Sequence, residues 1–313
     1  MINNSKNIFL SFIGLGILIQ SCTPPKSITQ SGKVTPQGQV KVGMDYCINV
    51  PTHVVRSLYQ NVDGIVTPLI NEDTIILNDQ LVKLNKTALA YAIEPIGFGY
   101  NFYGRYGIYK HFDVGYKYAS GTHVIDAMYQ FLGSTGSINE PGEKGMSGSI
   151  GIQYSSKKYE LPDWSGLDKV QSVLGFEMKR KDLMIPVIFS LPFGTEEKVG
   201  NFSFGLAYMH TFLNYGFQSG RIYDTLNNAA PMIIQAIQGK KDYGSMGIFF
   251  NFKLGYKYAY FLPAFALYYQ NYGSYTLIDG SSVKFKGFTY VPSLGIQINP
   301  TQIYYDIKKR KKK

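Results

Sequence analysis

The chain has 313 residues and a composition of 26 Tyr, 20 Phe and 33 Gly against a single Trp, a balance of strand formers and turn formers that argues against a helix-rich fold. Its net charge of +10 is the only sign of a nucleic-acid binder, and six of those charges sit together in Lys308, Lys309, Arg310, Lys311, Lys312 and Lys313. Without these six and Lys6 the rest carries about +3, which excludes nucleic acid as the expected partner and leaves anionic envelope polymers or lipid head groups for the tail.

Residues 1–21 read as an export signal: Lys6 is followed by an apolar run from Ile8 to Ile19, too short for the roughly 20 residues of a spanning helix, and then by Gln20-Ser21-Cys22. This segment resembles a bacterial lipoprotein signal, and the resemblance implies lipidation at Cys22. Gln20 stands where such signals usually carry a small residue. With Cys22 acylated, Cys47 has no partner for an intramolecular disulfide. Residues 22–38, rich in Thr, Pro, Ser and Gln without periodicity, read as a flexible tether.

From residue 39 to 299 the pattern is that of β-strands. Val40, Val42, Met44, Tyr46, Ile48 and Val50 alternate with polar or small residues, the period-two signature of a strand with unlike faces. The same dyad recurs around 98–102, 114–118, 125–131, 150–154, 202–208, 248–252 and 290–298, with less regular apolar runs at 183–193 and 257–272. The count is about ten strands, with a range of 8–14. Pro292 falls in the apolar register and costs a ladder bond there. Between the first two strands, residues 51–95 are too long for a simple loop, and Val54, Val55, Leu58 and Tyr59, like Leu81, Leu84, Leu89 and Ile93, have approximately helical spacing. The segment is expected to be partly helical, as an outer cap or as a plug in the lumen.

The polar faces of these strands carry mainly Gly, Ser, Asn, Gln and Ala, too few charges for an exterior in water. An apolar face toward lipid and a polar face toward a crowded lumen fit better. Loop lengths agree, with short turns at Lys110-His111, near 192–199 and near 254–256, and long connections at 51–95, 155–182, 214–243 and 273–283. The short Ser120-Gly121 turn and the long 133–145 connection break the alternation and suggest a miscounted strand.

On these alternating aromatic strands the chain resembles Gram-negative outer-membrane β-barrel proteins. The resemblance implies an all-β, antiparallel up-and-down transmembrane barrel in the cell outer membrane, contacting its lipid; most such barrels are not lipoproteins, and the anchor at Cys22 is implied by the signal alone. Residues 300–313 form a basic C-terminal tail after it. Asp45, Arg105, Asp113, Lys117, Asp126 and Lys253 fall on the lumen faces, where charges of both signs either pair to fill a narrow barrel or line a pore; filling suits about ten strands.

No catalytic, metal or cofactor motif emerges. Of the four histidines, His53, His111, His123 and His210, the best local pair is His123 with Asp126, followed by His210 with Thr211, and neither has a nucleophile at a recognisable spacing. The reading is therefore a non-enzymatic envelope protein with a structural or interaction role. A small-solute channel or transporter, and a soluble lipocalin-like binding barrel tethered by lipid, are the alternatives.

Overall fold

The structure is a computed structural model that describes residues 23–61, 75–76, 79–136, 145–159, 177–194, 197–217, 222–224, 232–233 and 237–311. The expected signal, Cys22, Lys312 and Lys313 lie outside the described residues.

Ten strands close an antiparallel barrel: β1 (Val40–Pro51), β2 (Gly97–Tyr109), β3 (Phe112–Ala119), β4 (Thr122–Leu132), β5 (Ser147–Tyr159), β6 (Glu177–Pro192), β7 (Gly200–Phe217), β8 (Ile237–Tyr256), β9 (Ala259–Thr276) and β10 (Ser282–Ile298). Each pairs with its successor, and β10 returns to β1, with Val42 opposite Ile298 and Pro51 opposite Thr289. The order is a plain meander, so no strand is missing between β2 and β5. The suspected miscount was wrong: β3 and β4 are joined directly by Ser120-Gly121, both at positive φ (47° and 82°), the geometry of a two-residue hairpin turn.

Prolines within the wall mark its irregularities. Pro292, Pro263 and Pro186 cannot donate to a ladder. Beside them the register runs on but two rungs are skipped, between Cys47/Ser293 and Val50/Tyr290, Asn251/Ala264 and Leu254/Phe261, and Ile150/Val187 and Gln153/Met184.

The alternation sorts side chains to two faces. Along β4, Thr122, Val124, Asp126, Met128 and Gln130 are turned inward, while His123, Ile125, Tyr129 and Phe131 are exposed outward. The same holds round the ring: Tyr46, Phe102, Ile152, Leu206, Ile248, Phe261 and Leu294 form an apolar outer belt. In water each such side chain would forgo about 1.5–3 kcal/mol of burial, so the belt belongs against hydrocarbon. The tethered soluble barrel, which needs its apolar faces inside, is thereby overturned.

The 51–95 insertion contains two helices, α1 (Thr52–Asn61) and α2 (Asp79–Ile93). Val54, Leu89, Ala90 and Ile93 are fully buried and pack on Met178, Leu213, Tyr215, Tyr272 and Phe285 of the inner wall, so the described part of the insertion acts as a plug. Residues 23–38 are not the expected loose tether. Thr23, Lys26, Ser27, Ile28, Thr29, Val34 and Thr35 are buried within the barrel. At the end bearing the short turns, α3 (Pro300–Arg310) follows β10 with no buried residue.

Candidate functional site: the filled lumen

The lumen holds two inserts. The α1–α2 plug fills it near the long-loop end; the strap, residues 23–36, runs from Thr23 beside the β3–β4 turn down to the short-turn end. The strap has no strand partner, so its backbone is held by wall side chains, which answers the demand that buried amide groups be paired. Tyr268 Oη donates to the Lys26 carbonyl at 2.9 Å, and Asn251 Nδ2 donates to the carbonyls of Ile28 and Gln30 at 3.2 and 3.0 Å. Strap amides donate in turn: Gly32 to Ser190 Oγ at 2.6 Å, Val34 to Gln130 Oε1 at 3.2 Å and Thr35 to Asp113 Oδ2 at 2.7 Å. Gly247 makes the Tyr268 contact feasible, because a Cβ there would lie 2.5 Å from the Tyr268 ring.

All six residues assigned to lumen faces from the sequence are buried inside the ring. Arg105 is the hub of one cluster, bonding Asp126 through Nη1 and Asp113 through Nε at 3.2 Å. Asp45 Oδ1 accepts from Ser27 Oγ at 2.9 Å and from Asn101 Nδ2 at 2.6 Å. Lys117 Nζ reaches the Ser27 carbonyl at 3.4 Å, and Lys253 pairs with Glu197 at 3.2 Å. Burial pushes the Glu197 carboxyl up, and the ammonium groups of Lys253, Lys41 and Lys33 together more than reverse this, holding it below the usual carboxylate range.

The sequence reading missed a third cluster. Lys26 pairs with Glu94 at 2.6 Å, while Arg180 bonds Asp182 at 2.9 Å, Glu94 at 3.4 Å and the Ile93 carbonyl at 2.8 Å. These contacts tie strap, plug and wall together at mid-depth. Met178, Arg180, Asp182 and Met184 do alternate with exposed Glu177, Lys179 and Lys181, and that alternation was the available signal. Nothing local marks Lys26 or Glu94.

Two cavities lie among the described residues. Between strap and wall there is a cavity of about 20 Å³ bounded by Thr29, Lys33, Arg105, Asp113 and Lys253, room for about one water. A second cavity, of about 400 Å³, lies at the long-loop end against Met178, Lys179, Tyr215, Gly239 and Lys240 and shares no lining residue with the first.

No protein family profile matches this chain, and no curated protein sequence does. Solved barrels do. They include Ail, the attachment invasion locus protein of Yersinia pestis, at 9% identity over 84% of this chain and 99% of that one, with a TM-score of 0.30. A major outer membrane protein from Thermus thermophilus follows at 7% identity over 83% and 99%, TM-score 0.33, and OprG from Pseudomonas aeruginosa at 10% over 85% and 98%, TM-score 0.30. At such scores the likeness carries no argument, and the fold rests on the strand pairing itself.

The histidines do not assemble a reactive group among the described residues. His123 faces outward beside Tyr116 Oη, 2.6 Å away, while Asp126 points inward to Arg105, so the pair picked from the sequence is split across the wall. His210 lies outside too, 3.0 Å from Tyr208 Oη and 3.6 Å from Asp242. His111 bonds Thr135 Oγ1 at 2.7 Å. His53 is buried in the plug against the rings of Tyr272 and Phe285, with centroids 4.5 and 5.9 Å away, and burial pushes its imidazole down to about 4.

Outside, the belt is bounded differently around its circumference. On β6, Lys179 and Lys181 stand above Leu183 and Ile185, and on β10 Lys284 and Lys286 stand above Phe288 and Tyr290; Lys158 of β5 is paired directly with Lys179. On β2, by contrast, exposed Phe98 and Tyr100 continue to the rim.

Proposed function

We propose that this protein is an outer-membrane barrel, lipid-anchored through Cys22, that works by its surfaces and not by conduction or chemistry, in a structural or interaction role in the envelope. One observation carries the reading: the lumen is occupied by the chain's own strap and plug, cross-tied by buried ion pairs, with space for about one water beside the strap. A solute path would need that packing undone. The long connections face the exterior and the short turns the periplasm, by the usual asymmetry of such barrels.

The tail offers the periplasmic surface a second function. α3 exposes Tyr304, Tyr305 and Ile307 together with Lys308, Lys309, Arg310 and Lys311, the mixture that seats a helix at an anionic lipid interface. It is fixed to the wall by Thr301 Oγ1, which accepts from Val40 N at 2.8 Å, and by Tyr258 Oη, which donates to Asp306 at 2.6 Å.

The test is planar-bilayer recording of the detergent-extracted full chain, with an unheated and a boiled sample run on a denaturing gel. A faster unheated band without conductance steps is the expected result. Regular conductance steps from the same preparation would replace the reading with a channel, and the lack of a gel shift would remove the closed membrane barrel.

A further inference from the structure

The strap has a direction. Its described start, Thr23, lies beneath the β3–β4 turn: a Cβ built on Gly99 would fall 2.4 Å from Thr23 Oγ1, 2.8 Å from Cys47 Sγ and 3.4 Å from Ser120 Oγ. These positions are at the long-loop ends of β1, β2 and β3. From there the wall partners step toward the other end. Lys26 meets Glu94, Ser27 meets Asp45, Gly32 reaches Ser190 two residues before β6 ends, and Thr35 reaches Asp113 at the start of β3. Gly38 then donates to the Gly107 carbonyl at 2.9 Å at the short-turn end, and the chain reverses into β1. Thr23 and the tail helix therefore lie at opposite ends of the barrel.

The wall is lowest where the strap begins. β3 and β4 have 8 and 11 residues, whereas β7, β8 and β9 have 18, 20 and 18. Beside this low wall Phe98 and Tyr100 face outward on β2, and the Lys157 ammonium of β5 lies over the β3–β4 turn, donating to the Ser120 carbonyl at 2.6 Å.

We infer that the mature amino-terminus leaves the lumen at the long-loop end, where Thr23 is held, so that acyl chains on Cys22 enter the leaflet on the cell-surface side. The inference rests on the lipid-anchored, loops-outward reading above. Cys22 is one peptide from Thr23, about 3.8 Å between Cα atoms, so it cannot lie at the other end of the barrel while Thr23 stays in place.

The test uses two full-length proteins in cells, one with an epitope between Cys22 and Thr23 and one with it after Lys313. Antibody binding to intact cells is expected for the first and lost for the second until the cells are permeabilised. Both epitopes on the same side would overturn the inference. The first hidden and the second exposed would keep the opposite ends but overturn the loops-outward orientation. Incorporation of an alkyne fatty acid, lost in Cys22→Ser, reports acylation separately; a surface epitope without incorporation would support the strap path and remove the lipid. A second variant reads the path in the purified barrel. In a Cys22→Ser background, Thr23→Cys is expected to lose both free thiols to a disulfide with Cys47 when copper phenanthroline is added as oxidant, and retention of both would overturn the placement of Thr23.

Discussion

The two halves of the lumen are sealed by different physics. Toward the long loops the plug meets the wall through Val54, Leu89, Ile93, Leu213, Tyr272 and Phe285, a small hydrocarbon and aromatic core like that of a soluble protein. Toward the short turns the strap meets it through Arg105 with Asp113 and Asp126, Lys253 with Glu197, and side chains bonded to strap amides. A helix satisfies its own backbone and needs only an apolar surface to settle on. An extended strap brings unpaired amides with it, and the wall must supply polar partners at fixed positions.

The polar half is most sensitive at Arg105. Arg105→Met leaves two buried carboxylates without their cation and is expected to cost about 3–5 kcal/mol, read as a fall in the temperature at which the compact gel band is lost. Adding Asp113→Asn and Asp126→Asn should restore most of it. In the plug, Leu89→Ala should cost about 3 kcal/mol by leaving a cavity, with no change in the pH dependence of that temperature.

His53 sharpens the contrast, because it is a titratable group inside the apolar half. Its folded value of about 4 lies below the ordinary 6.5, so the unfolded chain takes up the proton first as pH falls. The stability associated with the neutral ring is whole above about 6.5 and is lost between there and about 4, roughly 3 kcal/mol in all. His53→Phe should flatten that window. Ser190→Ala removes one acceptor from the strap, at Gly32 N, and is expected to cost about 1–2 kcal/mol. The smallest effect is at the tail: Tyr258→Phe should leave the melting unchanged while the Asp306 carboxyl, held down by the tyrosine hydroxyl, titrates at higher pH by NMR.

The wall was legible because lipid and lumen demand opposite chemistries from adjacent residues, which writes a period of two into the sequence. The six lumen charges followed from that parity. The plug was half legible: Val54, Leu89 and Ile93 had helical spacing, but cap and plug have the same spacing. The strap was illegible. Its Ser, Thr, Gln and Pro look like those of a linker, and its order is imposed by partners far along the chain, Thr35 by Asp113 and Lys26 by Tyr268, 78 and 242 residues away. Arg180 was readable in principle, but Pro186 and the long apolar run after it blurred the alternation of β6.

The strap and the plug flank β1 on either side in the sequence. The chain thus carries its filling near its beginning and most of its wall afterwards, and the strand nearest its end completes the ring against β1. The strap never has to be threaded lengthwise through a finished cylinder, because the β1–β10 seam can shut around it, and water is displaced from the interior as the seam forms.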